Sequence, residues 1–323
     1  MTLEECRGQG LLVLSSEDGG GSQGKGNGHM ILQIIWTSIT SSSYYILFAV
    51  SFALVLKVTK IWNFAQPGFM TTAFYMMYWA TNNLSLPIPL SLSIALIITI
   101  LASWAVDKYA FGALRRMKSG GFTFFIFTLI FSEFVAYLFT LLFGTEPFTV
   151  FPNIFSPVIP VGGIVVSYWD LRAVTITGIL LAGLYAFLRW SKPGRFLIAV
   201  SNNDRLAELY GISSRQAYTL SMVLAGILCT FGMYILGTKI AVHTHLSLSL
   251  ILFAVAATVM GGIGNVFSAA MAAVFLSLLQ GFSVLIIPSR WQNLLLYFFF
   301  FMVIITMPSG FLSFVRTMKG RRE

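Results

Sequence analysis

Long apolar runs restrict what this chain can fold into. Leu90–Ala105 and Leu294–Met307 contain no charged side chain. A segment in lipid must pair every backbone N–H and C=O group internally, which leaves α-helices or a closed β-barrel. Barrel strands are about ten residues long and alternate in polarity, whereas these runs are longer and continuous. The sequence therefore predicts helical membrane spans.

Composition agrees with a lipid-embedded chain. Of the 323 residues, 57% are hydrophobic and only 10% are charged, and the mean hydropathy is +0.84. A soluble domain carries about 25% charged residues. The net charge of +9 lies in short segments between apolar runs, which is a topology pattern, so we expect no nucleic-acid partner. Two cysteines and the pair His243 and His245 form no ligand cluster, and we expect neither metal nor cofactor.

We predict an all-α integral membrane protein with a bundle of about eight to nine transmembrane helices, since a span takes about 20 residues. The candidate spans are Ile31–Leu56, Gln66–Ala80, Ile88–Val106, Phe122–Phe143, Leu171–Leu188, Tyr218–Leu236, Leu246–Met260, Phe267–Ile287 and Leu294–Met307. The segments that begin at Gln66 and Leu246 are short, which predicts broken or re-entrant helices. The sequence shows no recognisable internal repeat.

Residues 1–29 differ from the rest of the chain. The stretch Glu17–Gly28 is rich in Gly, Ser and charge and cannot bury a core. We expect a disordered tail here, arising from a misassigned start or a cloning remnant, with Met30 as an alternative start. Residues 30–323 are expected to form the transmembrane domain.

Cations predict the orientation. One set of loops holds Lys57, Lys60, Lys108, Arg115, Arg116, Lys118, Arg189, Lys192, Arg195, Arg205, Arg215, Arg316, Lys319, Arg321 and Arg322. The opposite loops hold Arg172, Lys239 and Arg290. By the positive-inside rule the first set is cytoplasmic. We therefore expect a cytoplasmic C-terminus, an external N-terminus and an odd number of crossings.

Two loops are long. The outer loop, residues 144–169, contains four prolines, which favour an ordered cap over the outer mouth. The inner loop, residues 191–215, is polar but contains a predicted helix, Asn203–Tyr210, that Gly211 is well placed to end in the left-handed conformation.

Four segments carry a family resemblance through their order and spacing. They are Ile61–Met70 (IWNFAQPGFM), Gly194-Arg195 followed by Arg205–Ile212 (RLAELYGI), Met260–Asn265 (MGGIGN) and Met307–Gly310 (MPSG). Together they resemble the permease subunits of branched-chain amino-acid ABC importers, including the urea and amide relatives. The resemblance covers about residues 31–312. It implies a second homologous permease, two cytoplasmic ATPases and an external solute-binding protein as partners in a prokaryotic inner membrane, and a permease that is itself no enzyme.

The chain departs from the family pattern at several positions. Gln66-Pro67-Gly68 replaces a His-Gly pair, Arg205 replaces Glu, and Leu206 replaces Ala. A common Arg is Ile198 here. Small residues replace the glycines that usually follow the Gly-Gly-x-Gly run, at Ser268, Ala272 and Ala273. These departures indicate a diverged member, and the charge reversal at Arg205 affects the usual ATPase contact.

Two groups of candidate residues follow. The transport-pathway group is Asn63, Gln66, Gly68, Glu133, Gly261, Gly262, Gly264 and Asn265, and the ATPase-coupling group is Gly194, Arg195, Arg205, Ala207 and Gly211. A helix that starts at Gln66 would point its positive end into the bundle, although a plain elbow between spans fits as well. Glu133 lies mid-span, where an ionisable group is a functional candidate. Close packing is the alternative for the Gly261–Gly264 run, and a lipid-surface loop is the alternative for the coupling segment.

Other functions remain open. A secondary transporter would show inverted repeats and several embedded charges, and only Glu133 lies deep in a predicted span. A passive channel for a small solute such as urea would work without ATP. An intramembrane enzyme is disfavoured because every His lies outside the spans. The sequence does not identify the solute.

Overall fold

The computed structural model describes residues 22–150, 158–161, 164–262 and 264–285, with isolated residues between 288 and 305. The elements in chain order are α1 (Ser22–Thr59), α2 (Gln66–Asn82), α3 (Ile88–Ala105), α4 (Gly112–Arg116), α5 (Gly121–Phe143), β1 (Val158–Val161), β2 (Ile164–Ser167), α6 (Tyr168–Trp190), α7 (Lys192–Asn202), α8 (Asp204–Leu209), α9 (Ser214–Gly237), α10 (Leu246–Gly261) and α11 (Val266–Ser283). A π-helical turn, Val106–Phe111, joins α3 to α4 without a break.

Membrane-length helices dominate this fold. Within the described residues, six helices are long and apolar enough to cross a bilayer, namely His29–Thr59, Ile88–Arg116, Gly121–Phe143, Tyr168–Trp190, Ser214–Gly237 and Val266–Ser283. With the shorter α2 and α10, they account for eight of the nine predicted segments. The ninth, Leu294–Met307, lies mostly outside the described residues. The predicted all-α membrane fold is confirmed.

Two features depart from the sequence-based boundaries. Helix α1 begins at Ser22, inside the predicted tail, and residues 1–21 lie outside the described part. The outer loop contains an antiparallel hairpin, β1–β2, in which Val158 pairs with Ser167. The Gln33 side chain of α1 holds this hairpin, because it accepts from Val165 N at 2.8 Å and donates to Val165 O at 3.2 Å.

Helix α1 forms the centre of the bundle. It runs antiparallel to α9: Lys239 Nζ donates to Thr40 Oγ1, and farther along Ser51 Oγ lies 3.4 Å from Cys229 Sγ. It runs parallel to α10, where Tyr45 and Phe253 stack with ring centroids 3.8 Å apart. Glycines allow these close contacts, since a Cβ at Gly232 would collide with the Phe48 ring.

The two short helices lie within the length of α1. Helix α2 begins at Gln66, which contacts Ser51, eight residues before α1 ends at Thr59. At 1.5 Å per residue, α2 therefore starts about 12 Å inside that end of the bundle. In helix α10, Thr258 lies beside Ala49 of α1, and the helix ends three residues later at Gly261, also short of the end of α1. These are the two segments whose length predicted broken or re-entrant helices.

The pairs α1–α2 and α9–α10 are two similar units of opposite direction. In each unit a long helix ends, the chain turns back, and a short helix runs the other way beside it. Helix α2 follows the direction of α9, because Asn63, just before α2, contacts Met222 and the far end of α2 packs Phe74 against Gly237. The structure thus contains an inverted relation that we did not recognise in the sequence, since it rests on direction of packing and not on residue identity.

One end of the bundle collects the cations. The described members of the predicted cytoplasmic set lie where α1, α4 and α6 end, on α7 and α8, and where α9 begins: Lys57, Lys60, Lys108, Arg115, Arg116, Lys118, Arg189, Lys192, Arg195, Arg205 and Arg215. We call this the basic end. The opposite end carries the β1–β2 hairpin, Arg172 and Lys239, and there Lys239 pairs with Asp170 at 3.0 Å.

Candidate transport pathway and coupling segment

The connection between α1 and α2 carries buried polar side chains. Asn63 is 1% exposed, and its Oδ1 accepts from Ala65 N at 3.0 Å. Its amide nitrogen donates to Met222 Sδ on α9 at 3.0 Å. Gly68 packs against α5, where an added Cβ would meet Phe131 at 3.2 Å. The segment therefore forms part of the bundle interior, although Asn63 also has a local structural role.

Gln66 is one of six described residues with a buried side-chain polar atom that lacks a hydrogen-bond partner. Its side chain is fully buried, and Oε1 accepts from Ser51 Oγ at 3.2 Å. Its Nε2 has no hydrogen-bond partner. An unsatisfied buried donor costs about 1–3 kcal/mol, so its retention calls for an explanation. The Gln66 amide therefore leaves one donor unused inside the bundle.

Hydroxyl groups join the two short helices near this level. Thr71 Oγ1 donates to Ser247 Oγ at 2.9 Å, so the second turn of α2 meets the first turn of α10. Thr140 Oγ1 of α5 donates to Thr244 Oγ1 at 2.8 Å, just before α10. Helix N-termini carry partial positive charge. Two such ends and four hydroxyls therefore form a polar region inside an apolar bundle, and the sequence analysis singled out none of the four.

Glu133 lies on α5 at the depth of Gly68, since its neighbours Phe131 and Val135 contact that glycine. Its side chain is 39% exposed, and Oε2 lies 3.7 Å from His245 Nδ1. The Tyr137 ring meets the same imidazole edge to face. The sequence analysis did not predict this pairing, because Glu133 and His245 are distant in sequence.

The glycine run Gly261–Gly264 forms the turn between α10 and α11. A Cβ at Gly261 would lie 2.6 Å from the Ser268 carbonyl carbon, so only glycine allows this approach. Gly262 and Gly264 have φ values of 95° and 115°, in the left-handed region. Asn265 caps α11 by accepting from Phe267 N and Ser268 N. These contacts explain all four residues by close packing and turn geometry.

The buried acid of the described chain is Asp107, which the sequence analysis did not select. It is 1% exposed and lies in the π-helical turn. Arg115 donates to its Oδ1 at 2.8 Å, and Thr219 of α9 donates to Oδ2. The carboxylate therefore ties α3 and α4 to α9 near the basic end.

Replacing Asp107 with Asn should lower the free energy of unfolding by about 2–3 kcal/mol, because it leaves Arg115 partly buried without its counter-charge. Thermal unfolding in detergent measures the change. The matched control is Asp170→Asn, which breaks the more exposed pair with Lys239 and should cost less than about 1 kcal/mol. Equal shifts for the two variants would contradict this interpretation.

The predicted coupling loop folds into two helices, α7 and α8. Asn203 caps α8 by accepting from Leu206 N, and Gly211 follows with a φ of 79°, which confirms the predicted helix and its stop. Gly194 is buried where α7 meets α6, and an added Cβ would lie 2.7 Å from Leu188 Cα. Gly194 therefore sets the position of the segment by packing.

The exposed surface of this segment does not include Ala207 of the predicted coupling group. Ala207 is 5% exposed and packs into the main core. The exposed apolar side chains are instead Leu206 at 50%, Leu209 at 83% and Tyr210 at 80%. The cations Arg195 and Arg205 are exposed as well. The segment thus presents an apolar surface bordered by positive charge at the basic end.

A bundle of membrane-length helices that encloses two short, oppositely directed helices and buried polar groups has the architecture of a membrane transport protein. The family described as "Branched-chain amino acid transport system / permease component" matches residues 34–306. The chain belongs to this family, and it is a multi-pass membrane protein.

Two relatives are similar over most of their length. The chain is 21% identical to the high-affinity branched-chain amino acid transport system permease protein BraD of Pseudomonas aeruginosa over 298 residues, which covers 88% of this chain and 96% of BraD. It is 23% identical to the permease protein LivH of the corresponding system in Escherichia coli K12 over 296 residues, which covers 87% of this chain and 95% of LivH. No solved structure matches this chain.

Proposed function

We propose that this chain is the transmembrane subunit of an ABC importer and forms the translocation pathway for a small polar solute such as a branched-chain amino acid. The family description and the names of BraD and LivH support this solute class. The chain itself catalyses no reaction, and ATP hydrolysis belongs to partner subunits.

The proposed partners are a second homologous permease, two ATPases at the basic end and a solute-binding protein at the opposite end. The basic end faces the cytoplasm of a prokaryotic cell by the positive-inside rule, with the N-terminus outside and the C-terminus inside. Clustering of the cations on one end of the bundle supports this orientation.

One observation carries the proposal: the apolar face of α8. Leu209 and Tyr210 are more exposed than a short helix in water favours, and Gly194 holds the segment against α6. A groove on an ATPase would cover this face, and Arg195 and Arg205 would meet acidic groups at its rim. Helix α8 also contacts α9, so a movement of α8 would be transmitted to the bundle.

For the pathway we retain Asn63, Gln66, Gly68 and Glu133 as the proposed lining residues. The free Nε2 of Gln66 supports this choice most directly. Gly261, Gly262, Gly264 and Asn265 have structural explanations in the α10–α11 turn, so their contribution to a pathway is indirect.

Replacing Gln66 with Leu should lower solute uptake about tenfold, because one hydrogen bond to the solute is worth about 1.4 kcal/mol. The thermal stability should hardly change, since an unpaired buried donor is removed together with a single bond to Ser51. The control is Asn83→Leu, an exposed amide just after α2. Normal uptake by Gln66→Leu would favour a plain elbow between α1 and α2.

The function is tested with the full chain in proteoliposomes together with its permease partner, the ATPases and the binding protein. We expect uptake of radiolabelled leucine that requires both ATP and the binding protein. Uphill uptake without nucleotide or companion subunits would overturn the proposal.

A secondary transporter remains the second candidate, because one observation favours it. The opposite directions of α1–α2 and α9–α10 match the inverted units of many secondary transporters. Transport that follows a proton or sodium gradient in the absence of ATP would support this alternative. Urea flux down its own concentration gradient, without ATP or an ion gradient, would instead indicate a channel.

A further inference from the structure

A groove of about 540 Å³ lies between α3 and α9 near the basic end. Lys108 and Arg215 line it near the helix ends, and Trp104, Leu220 and Val223 line it farther along the helices. The two helices run antiparallel here, since Thr219 bonds Asp107 and Gly226 contacts Ser103. We call this cleft the α3–α9 groove. It extends from the charged boundary of the bundle into the apolar zone.

The charged end of the groove is positive. Lys108 and Arg215 are both exposed, and neither has an acidic partner in the part of the chain that the structure describes. The Lys108 ammonium lies 4.4 Å from the centre of the Trp104 ring. The nearby acid, Asp107, is 1% exposed and is neutralised by Arg115. An anion would therefore meet two cations that are not already engaged in ion pairs.

The inner end of the groove decides between a lipid and a soluble partner. Leu220 and Val223 lie about 7 and 12 Å along α9 from Arg215, at 1.5 Å per residue. A soluble protein could cover the cations but could not follow the groove into the hydrocarbon zone. A phospholipid does both, because its phosphate and its acyl chains are joined in one molecule. Trp104 fits the same boundary, where indole rings concentrate.

We propose that the α3–α9 groove binds an anionic phospholipid, with its headgroup phosphate at Lys108 and Arg215 and an acyl chain along Leu220 and Val223. Basic clefts between transmembrane helices are suited to such headgroups. The lipid would also cover the exposed edge of Trp104, which is 37% exposed. This site does not depend on whether ATPases drive the protein.

The test measures which lipids stay bound to the full chain. The protein is purified in nanodiscs of equal parts phosphatidylglycerol and phosphatidylcholine, and the retained lipids are counted by native mass spectrometry after mild detergent exchange. The double variant Lys108→Gln/Arg215→Gln should lose retained phosphatidylglycerol by roughly twenty- to thirtyfold, since each cation is worth about 1 kcal/mol. Gel filtration and circular dichroism confirm that the variant folds.

The matched control is Arg116→Gln/Lys118→Gln, which removes two exposed cations at the same end but outside the groove. We expect the control to retain phosphatidylglycerol like the unmodified chain. A second measurement uses brominated phosphatidylglycerol, which should quench a fluorescence component that Trp104→Phe removes. Brominated phosphatidylcholine should not.

Three outcomes would overturn the proposal. Unchanged retention by the groove variant would show that the cations do not hold the lipid. Equal losses in both double variants would indicate a general surface attraction without a site. A loss of ATPase binding with normal lipid retention would assign the groove to a protein partner instead.

Discussion

Replacing Gly194 with Ala is expected to lower the free energy of unfolding by about 3 kcal/mol and to displace α7 from α6. The added methyl group would lie 2.7 Å from Leu188 Cα and would also collide with the Phe187 carbonyl oxygen. Both are backbone atoms that cannot rotate away, so the helices must separate, and overpacking of this kind typically costs about 1–3 kcal/mol. Thermal unfolding in detergent and limited proteolysis of the 191–215 segment measure the effect.

The matched control is Gly183→Ala on α6, where an added Cβ meets nothing within 4 Å. This variant should keep its stability or gain up to about 1 kcal/mol, because Ala has the higher helix propensity. If both variants behaved alike, the tight contact at Gly194 would have no energetic importance.

Replacing Leu209 with Asp should abolish binding of the proposed ATPase subunits while leaving the bundle folded. Leu209 is 83% exposed, so the change costs little in the isolated chain. In a complex the carboxylate would be buried in an apolar contact, and loss of an anchor residue typically costs about 2–4 kcal/mol, or roughly thirty- to a thousandfold in affinity. Co-purification of tagged chain with its ATPases provides the measurement.

Asn203→Asp serves as the control for Leu209→Asp. It adds the same negative charge to α8 and preserves the cap, since Asp and Asn are about equally good at this position. We expect normal ATPase binding for this variant. Binding that survives in Leu209→Asp would instead indicate that the apolar face rests on lipid headgroups, and the coupling role would be lost.

The arrangement of spans could be predicted from the sequence because it depends on local properties. Hydropathy marks each long helix, and length alone distinguished α2 and α10 from the full spans. The stop at Gly211 followed from the conformational freedom of one residue type. Each of these inferences needs only a short window of sequence.

Pairings across the bundle could not be predicted in this way. Gln66 meets Ser51 and Cys229 comes within reach of the same hydroxyl, although Cys229 is more than 160 residues away from Gln66. The spacing of Ala207 and Gly211 predicted a shared helix face, but Ala207 is buried and Gly211 is exposed beyond the end of α8. Asp107 was overlooked because its burial depends on Thr219 and Arg115.

The central position of α1 limits where another subunit can attach within the membrane. Its apolar window is 83% buried, whereas those of the α3–α4, α5 and α6 spans are only 22%, 28% and 22% buried. Among the described helices, these three peripheral spans therefore offer the most exposed surface to a neighbouring permease. If the neighbouring permease packs against α5, Glu133 and His245 would lie at the interface between the two chains. The Glu133 carboxylate, which is partly exposed in one subunit, would then border a space enclosed by both subunits.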